Sequence, residues 1–217
     1  MRDHALADHR PFLLVGLSAA VSYWFVADDG IAGLTLMVWK GIGVGALAAY
    51  ALRRSGHVGG KGIAGFLAFC AVGDMAIELS YLAGGIAFAL AHIFGIVFFL
   101  KHRRTTRSAS QTLLAIALLI GTPAIAALFT YPQENWWLAT GYTLLLAGMA
   151  ASAWISRFPR YRVGIGAVLF VASDLVLLGS VAGRLSEGAG EWFVWPLYFV
   201  GQFLIATGVV QTLRAEP

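Results

Sequence analysis

The sequence predicts an all-α integral membrane protein: a bundle of about eight transmembrane helices with both termini cytoplasmic. Three observations carry the prediction: composition, the length of the apolar runs, and the placement of the basic residues. Hydrophobic residues make up 59% of the 217 and charged residues only 12%, about half the charge of an ordinary soluble domain. That is too little polar surface to cover a water-exposed globule. The single cysteine excludes a disulfide framework and a cysteine-rich metal site.

Eight apolar runs follow in order: Pro11–Ala27, Ile31–Leu52, Gly62–Ser80, Leu82–Leu100, Gln111–Thr130, Trp136–Ser156, Arg162–Ala182 and Phe193–Gln211. A bilayer core about 30 Å thick takes roughly 17–25 helical residues, which these runs match. Membrane β-strands would be about half as long and would alternate in polarity. The first run lacks a clear cleavage site followed by a soluble domain, so it reads as a retained helix and not a signal peptide. The connections are short. One transmembrane domain over residues 1–217 is therefore expected, with any chemistry inside the bundle or at its mouths.

Basic residues set the orientation. Arg2 and Arg10 precede the first run, and Arg53, Arg54 and Lys61 fall in the second loop. Lys101, Arg103, Arg104 and Arg107 fall in the fourth, Arg157, Arg160 and Arg162 in the sixth, and Arg214 in the tail. The alternate loops hold Arg184 alone, with Asp28, Asp29, Glu134, Glu187 and Glu191. This asymmetry makes the net charge of +4 a matter of topology, not of nucleic-acid binding. It predicts a multi-pass protein of the inner (plasma) membrane. Trp24, Trp136, Trp137, Trp192 and Trp195 then lie near the outer ends of runs, as interfacial anchors do.

Several ionisable and polar residues interrupt the runs. A charge at mid-bilayer costs at least about 2.5–3.5 kcal/mol, so each calls for a reason. Lys40 lies inside the second run. Asp74 lies in the third with Glu78 one turn beyond it, His92 in the fourth, Asp174 in the seventh, and Tyr198 and Gln202 one turn apart in the eighth. At about 1.5 Å per residue, Asp74 and Asp174 fall about 12 Å below the outer edge, and Lys40, His92 and Gln202 about 14–15 Å below it. Tyr198 falls about 8 Å below it. One layer collecting residues from several helices is the expected site. Taken singly, each has a bland reading. The acids could be structural partners of Lys40, and His92, Tyr198 and Gln202 could be hydrogen-bonding glue between helices. The many glycines suit close helix packing.

Aligning Asp74 with Asp174 matches the third run to the seventh, each acid preceded by a small residue, Gly73 or Ser173. Four runs plus four would form a parallel internal repeat, with the two acids on opposite walls of a cleft. Two carboxyls, one of them beside Lys40, can be held in opposite protonation states, the division of labour used in acid/base hydrolysis. Lipid is the substrate class for a cleft in the outer half of a bilayer. His92 has no second histidine or cysteine at ligand spacing, so a metal site is disfavoured. No glycine–x–serine–x–glycine elbow marks a serine hydrolase.

These residues resemble the lysoplasmalogenase family, the YhhN-like membrane proteins. The resemblance rests on Lys40, Gly73-Asp74, Ala91-His92, Ser173-Asp174, and the stretch from Leu197-Tyr198 through Gln202 to Ile205-Ala206. It covers nearly the whole length. Two positions depart from the pattern: Gly41 stands where the family usually has proline, and Gly95 where it often has an aromatic residue. The resemblance implies an enzyme without a cofactor that hydrolyses the vinyl-ether bond of lysoplasmalogens. A fatty aldehyde and a glycerophospho-ethanolamine or -choline are released. Asp74 and Asp174 would be catalytic, and Lys40, Glu78, His92, Tyr198 and Gln202 would bind or orient the lysophospholipid. Two other readings use the same residues: a proton-coupled transporter of a lipid or small amphiphile, and an assembly protein whose buried ion pair sets helix register.

Overall fold

The computed structural model describes residues 10–27, 30, 33–54 and 58–215. Arg2, Asp28, Asp29 and Ile31, used above for orientation and boundaries, lie outside them. The described residues form eight α-helices: α1 (Arg10–Val26), α2 (Gly33–Arg54), α3 (Val58–Ala76), α4 (Tyr81–Lys101), α5 (Ala109–Thr130), α6 (Trp136–Trp154), α7 (Ile165–Val181) and α8 (Glu187–Arg214). A π-helical turn at Arg160–Gly164 leads into α7. Each helix corresponds to one expected run.

Five segments are long and apolar enough to cross a membrane by length and composition: α2, α4, α5, the π-turn with α7, and α8. Of the others, α1 has only 17 residues, about 26 Å at the helical rise. The first half of α6 is diluted by Thr140, Gly141, Tyr142 and Thr143. Large apolar side chains on α5 face outward, with Leu113 70% and Leu128 75% exposed. In water such a face would drive association; against acyl chains it is at rest. The molecule is a multi-pass membrane protein.

The chain divides into two compact units, Met1–Gly95 with Ala206–Pro217, and Ile96–Ile205. In the first, α2 packs between α1 and α3. A Cβ on Gly16 of α1 would lie 2.9 Å from the carbonyl oxygen of Gly43 on α2, so only glycine allows that approach. On the other side of α2, Gly41 leaves room for the Met75 side chain, which a Cβ would meet at 2.6 Å. The core is filled by Leu47, Tyr50, Ile63, Phe66 and Leu67, all fully buried.

In the second unit, α7 and α8 cross backbone to backbone. A Cβ on Gly166 would lie 2.6 Å from the Gly201 carbonyl oxygen, and one on Gly201 equally close to that of Gly166. At the other end of this crossing, Ser173 Oγ donates to the Val194 carbonyl at 2.9 Å. A capping box starts α5: Ser108 Oγ accepts from the Gln111 backbone N–H, and Gln111 Oε1 accepts from that of Ser108. Each bond satisfies an N–H that the first helical turn leaves without a partner. Two arginines do structural work. Arg104 donates to the carbonyls of Ser156 (2.7 Å) and Phe158 (3.0 Å), tying the α4–α5 loop to the α6–α7 connection. Arg184, the exception to the basic-loop asymmetry, donates to the carbonyls of Phe129 (3.2 Å) and Tyr131 (3.0 Å) at the end of α5. Those carbonyls are among the acceptors a helix C-terminus leaves open.

Candidate functional site

In the first unit, Lys40 lies seven residues after the start of α2, about 10 Å along the axis. Its flexible stem carries the ammonium to Glu78, with Nζ 2.6 Å from Oε1. Tyr23 OH, from α1, donates to the same carboxylate oxygen at 3.4 Å. Lys40 Nζ also stands 5.5 Å from the centre of the Tyr23 ring. Asp74, 2% exposed, is within electrostatic reach of Lys40. One cation thus serves two carboxylates and a phenol.

The local backbone explains the arrangement. The third run is expected to continue through Ser80 as helix, but α3 ends at Ala76 and residues 77–79 form a turn. Ser80 Oγ accepts from the backbone N–H groups of Leu82 (3.2 Å) and Ala83 (3.4 Å), starting α4 and thereby stopping α3. Glu78 is therefore on a turn, not on a helix face in the apolar layer, and 27% of its side chain is exposed. Asp74 lies two residues from the end of α3. His92 is fully buried, eleven residues into α4. The Gly41–Met75 contact puts Lys40 level with Asp74, whereas the Gly73–Phe88 and Gly84–Ile77 contacts put His92 about 7 Å along the axis from Asp74.

In the second unit, Asp174 is 8% exposed and accepts a hydrogen bond from Tyr142 OH of α6. The Tyr198 ring packs edge-on against Phe170 (centroids 5.0 Å apart) and beside Trp195 (5.7 Å). Gln202 is fully buried, and among the described residues neither its amide nitrogen nor its amide oxygen has a hydrogen-bond partner. The Ser173–Val194 and Gly166–Gly201 contacts set the register of α7 on α8. They put Gln202 level with the start of α7, about 13–14 Å along the axis from Asp174. The sequence-based depths place the two almost together. The difference arises because α8 begins at Glu187, six residues before the expected Phe193, so every residue of α8 sits further from its outer end.

Each buried aspartate thus has a polar neighbour within its own unit. Lys40 makes its ion pair with Glu78, where the sequence offers Asp74 or Asp174 as its partner. Tyr23 and Tyr142 are not legible there, because a tyrosine near a helix end reads as an interfacial anchor. The one signal was a hydroxyl amid leucines and alanines in the sixth run. Among the described residues, no three histidine, cysteine, aspartate or glutamate side chains gather as metal ligands.

A helical membrane protein with carboxylates held inside apolar bundles defines the class: a multi-pass protein with an ionisable interior. Within that class the chain belongs to the YhhN family, whose model matches residues 35–209, from the start of α2 into the last turns of α8. No curated protein matches the chain, and no solved structure does.

Proposed function

We propose that the chain is a membrane-embedded hydrolase that cleaves the vinyl-ether bond of lysoplasmalogens, with Asp74 and Asp174 as its acid/base pair. The observation that carries this reading is the occurrence of one buried aspartate in each unit of a YhhN-family chain. Two acids in apolar surroundings work against insertion by several kcal/mol together, and neither is needed to fill a core.

The chemistry suits two carboxyls. One, as the acid, donates a proton to the alkene carbon remote from the ether oxygen, leaving an oxocarbenium ion. Water adds to the carbon bearing that oxygen, and the second carboxylate accepts the water's proton. The resulting hemiacetal collapses as the ether oxygen regains a proton and leaves as the glycerol hydroxyl, freeing the aldehyde. Over the cycle one water is consumed and both carboxyls return to their starting states. A positioned acid or base contributes about 10²–10⁴-fold to such a step. Tyr142 orients Asp174, and Lys40 holds the charge balance around Asp74. His92, Tyr198 and Gln202 are assigned to substrate or water.

The same reading takes all eight helices as spans of one domain in the inner membrane, with both termini cytoplasmic. The four-plus-four repeat belongs to it too. In each half, a polar residue early in the second helix (Lys40, Tyr142) faces the acid region of the third. The deciding experiment supplies purified protein in micelles with a vinyl-ether lysolipid and measures aldehyde. Stoichiometric release of aldehyde and glycerophospho-headgroup is expected. A transporter would leave the lipid intact, and an assembly protein would do nothing to it.

A further inference from the structure

Two loops of the second unit are stitched into one basic surface. The α4–α5 loop carries Lys101, Arg103, Arg104 and Arg107, and the α6–α7 connection carries Arg157, Arg160 and Arg162. Arg103 and Ser156 form an antiparallel bridge. The Arg104 N–H donates to the Ile155 carbonyl (3.1 Å) and the Arg157 N–H to the His102 carbonyl (2.8 Å), closing it on both sides. Phe158 anchors the bridge, fully buried and stacked on Phe98 with centroids 5.6 Å apart. Like charges gathered in this way repel, and the unit sets no carboxylate beside them. Its acids are Glu134, between the far ends of α5 and α6, Glu187 and Glu191, at the start of α8 beyond the far end of α7, and Asp174, about 14 Å into α7. A basic loop that only sets topology has to lie on the correct side; it does not have to be fastened to another basic loop. Arg104 directs its guanidinium to two carbonyls. Lys101, Arg103 and Arg107 are exposed, and among the described residues their side chains have no hydrogen-bond or ion-pair partner.

We propose that this surface binds an anionic phospholipid of the adjoining leaflet, whose phosphate is taken by the exposed cations, Arg103 and Arg107 among them. The apolar margin argues for a lipid over a soluble anion. Val97 and Leu100 on α4 and Ile165 on α7 are exposed directly beside the basic loops, so acyl chains have a surface to lie on. Tyr161 is 70% exposed, and the Arg160 guanidinium stands 4.9 Å from the centre of its ring. An exposed tyrosine at that boundary is an anchor at the level of the headgroups, which puts its basic neighbours at the level of the phosphates. Charge selects the headgroup. A phosphodiester of net negative charge supplies the counter-charge that the unit lacks, whereas a zwitterionic headgroup brings an ammonium against the arginines. The planar N–H donors of guanidinium match phosphate oxygens, and cations displayed at headgroup level need no cavity to hold one. The surface lies apart from Asp174 and does not depend on the hydrolase reading.

The test measures lipid binding to the full-length protein in neutral detergent at low salt. The wild type should bind dioleoyl phosphatidylglycerol roughly tenfold or more tightly than dioleoyl phosphatidylcholine. Each cation beside an anionic headgroup contributes about fivefold. Arg103→Gln combined with Arg107→Gln should therefore weaken phosphatidylglycerol about twenty-five-fold and leave phosphatidylcholine unchanged. The control removes the same charge from another basic loop. Arg53→Gln combined with Lys61→Gln, both exposed, should keep the preference. Equal binding of the two lipids by the wild type, or an equal loss in the two double variants, would leave these residues with a topological role only and overturn the proposal. Should the Arg103 and Arg107 double variant not fold, each single glutamine variant must lose about fivefold, and undiminished binding in both folded single variants is equally fatal. Glycerol 1-phosphate at matched concentration should not displace the lipid. Displacement would make the surface a site for a free phosphate ester and end the lipid proposal.

Discussion

Asp74 and Asp174 are the two residues on which the proposed chemistry turns, and they are built differently. Asp74 shares Lys40 with Glu78. Asp174 leans on the Tyr142 hydroxyl. Changing either to asparagine keeps the shape and removes the ability to ionise, so each single variant should fold and lose about 10²–10⁴-fold in turnover. If the carboxyls act as a unit, the double variant should lose little more than either single one. Full specific activity in both folded single variants would end the mechanism. Tyr142→Phe removes one hydrogen bond to a carboxylate, which is worth about 1.5–3 kcal/mol. A drop of roughly ten- to a hundred-fold in kcat, with KM little changed, is expected if the bond orients Asp174 in the transition state. A change in KM alone would assign Tyr142 to binding. The acids, the lysine and Glu78 stand out in the sequence because charge in an apolar run is costly wherever it points. The tyrosines do not, because their rings are at home near a membrane interface and only the fold shows where the hydroxyl goes.

At the level of helices, hydropathy locates the runs and capping chemistry sets their ends. The third run is interrupted only by Asp74 before Glu78, yet Ser80 opens α4 by accepting from Leu82 and Ala83, so α3 stops at Ala76 and Glu78 becomes a turn residue. The eighth helix shows the converse. Glu187 and Glu191 make the chain look like a loop, but the backbone is already helical from Glu187, and this shifts the depth of Gln202. Helix contacts yield a sharp prediction. Gly166→Ala would push a Cβ to 2.6 Å from the Gly201 carbonyl oxygen and 3.0 Å from Ile205, with backbone on one side that cannot give way. About 1–3 kcal/mol should be lost, read as a lower melting temperature in detergent. Gly45→Ala, whose Cβ would meet nothing nearer than Ala71 at 3.9 Å, is the matched control and should melt with the parent. Equal melting of the two variants would contradict the α7–α8 crossing.

For the whole molecule, the test is topology. Cysteines introduced singly between Arg103 and Ser108 should resist an impermeant thiol reagent added from the periplasmic side, and one at Gly188 should react. Cys70, the only native cysteine, is buried and should contribute little background. The reverse labelling pattern would invert the orientation and move the Lys40–Glu78 turn to the cytoplasmic face. By itself the sequence determined that this is a helical membrane protein, where each helix lies, and which charged residues sit inside the apolar runs. Those properties follow from transfer free energies, which accrue residue by residue along the chain. Only the tertiary structure decided which way each helix is turned and how far it slides on its neighbour. The helices are apolar on nearly every side, so no hydrophobic stripe marks an inner face. Close approaches such as Gly166 on Gly201 and caps such as Ser80 set rotation and register instead. They bring Tyr23 to Glu78 and Tyr142 to Asp174, and leave Gln202 about two and a half turns from the aspartate it seemed to accompany.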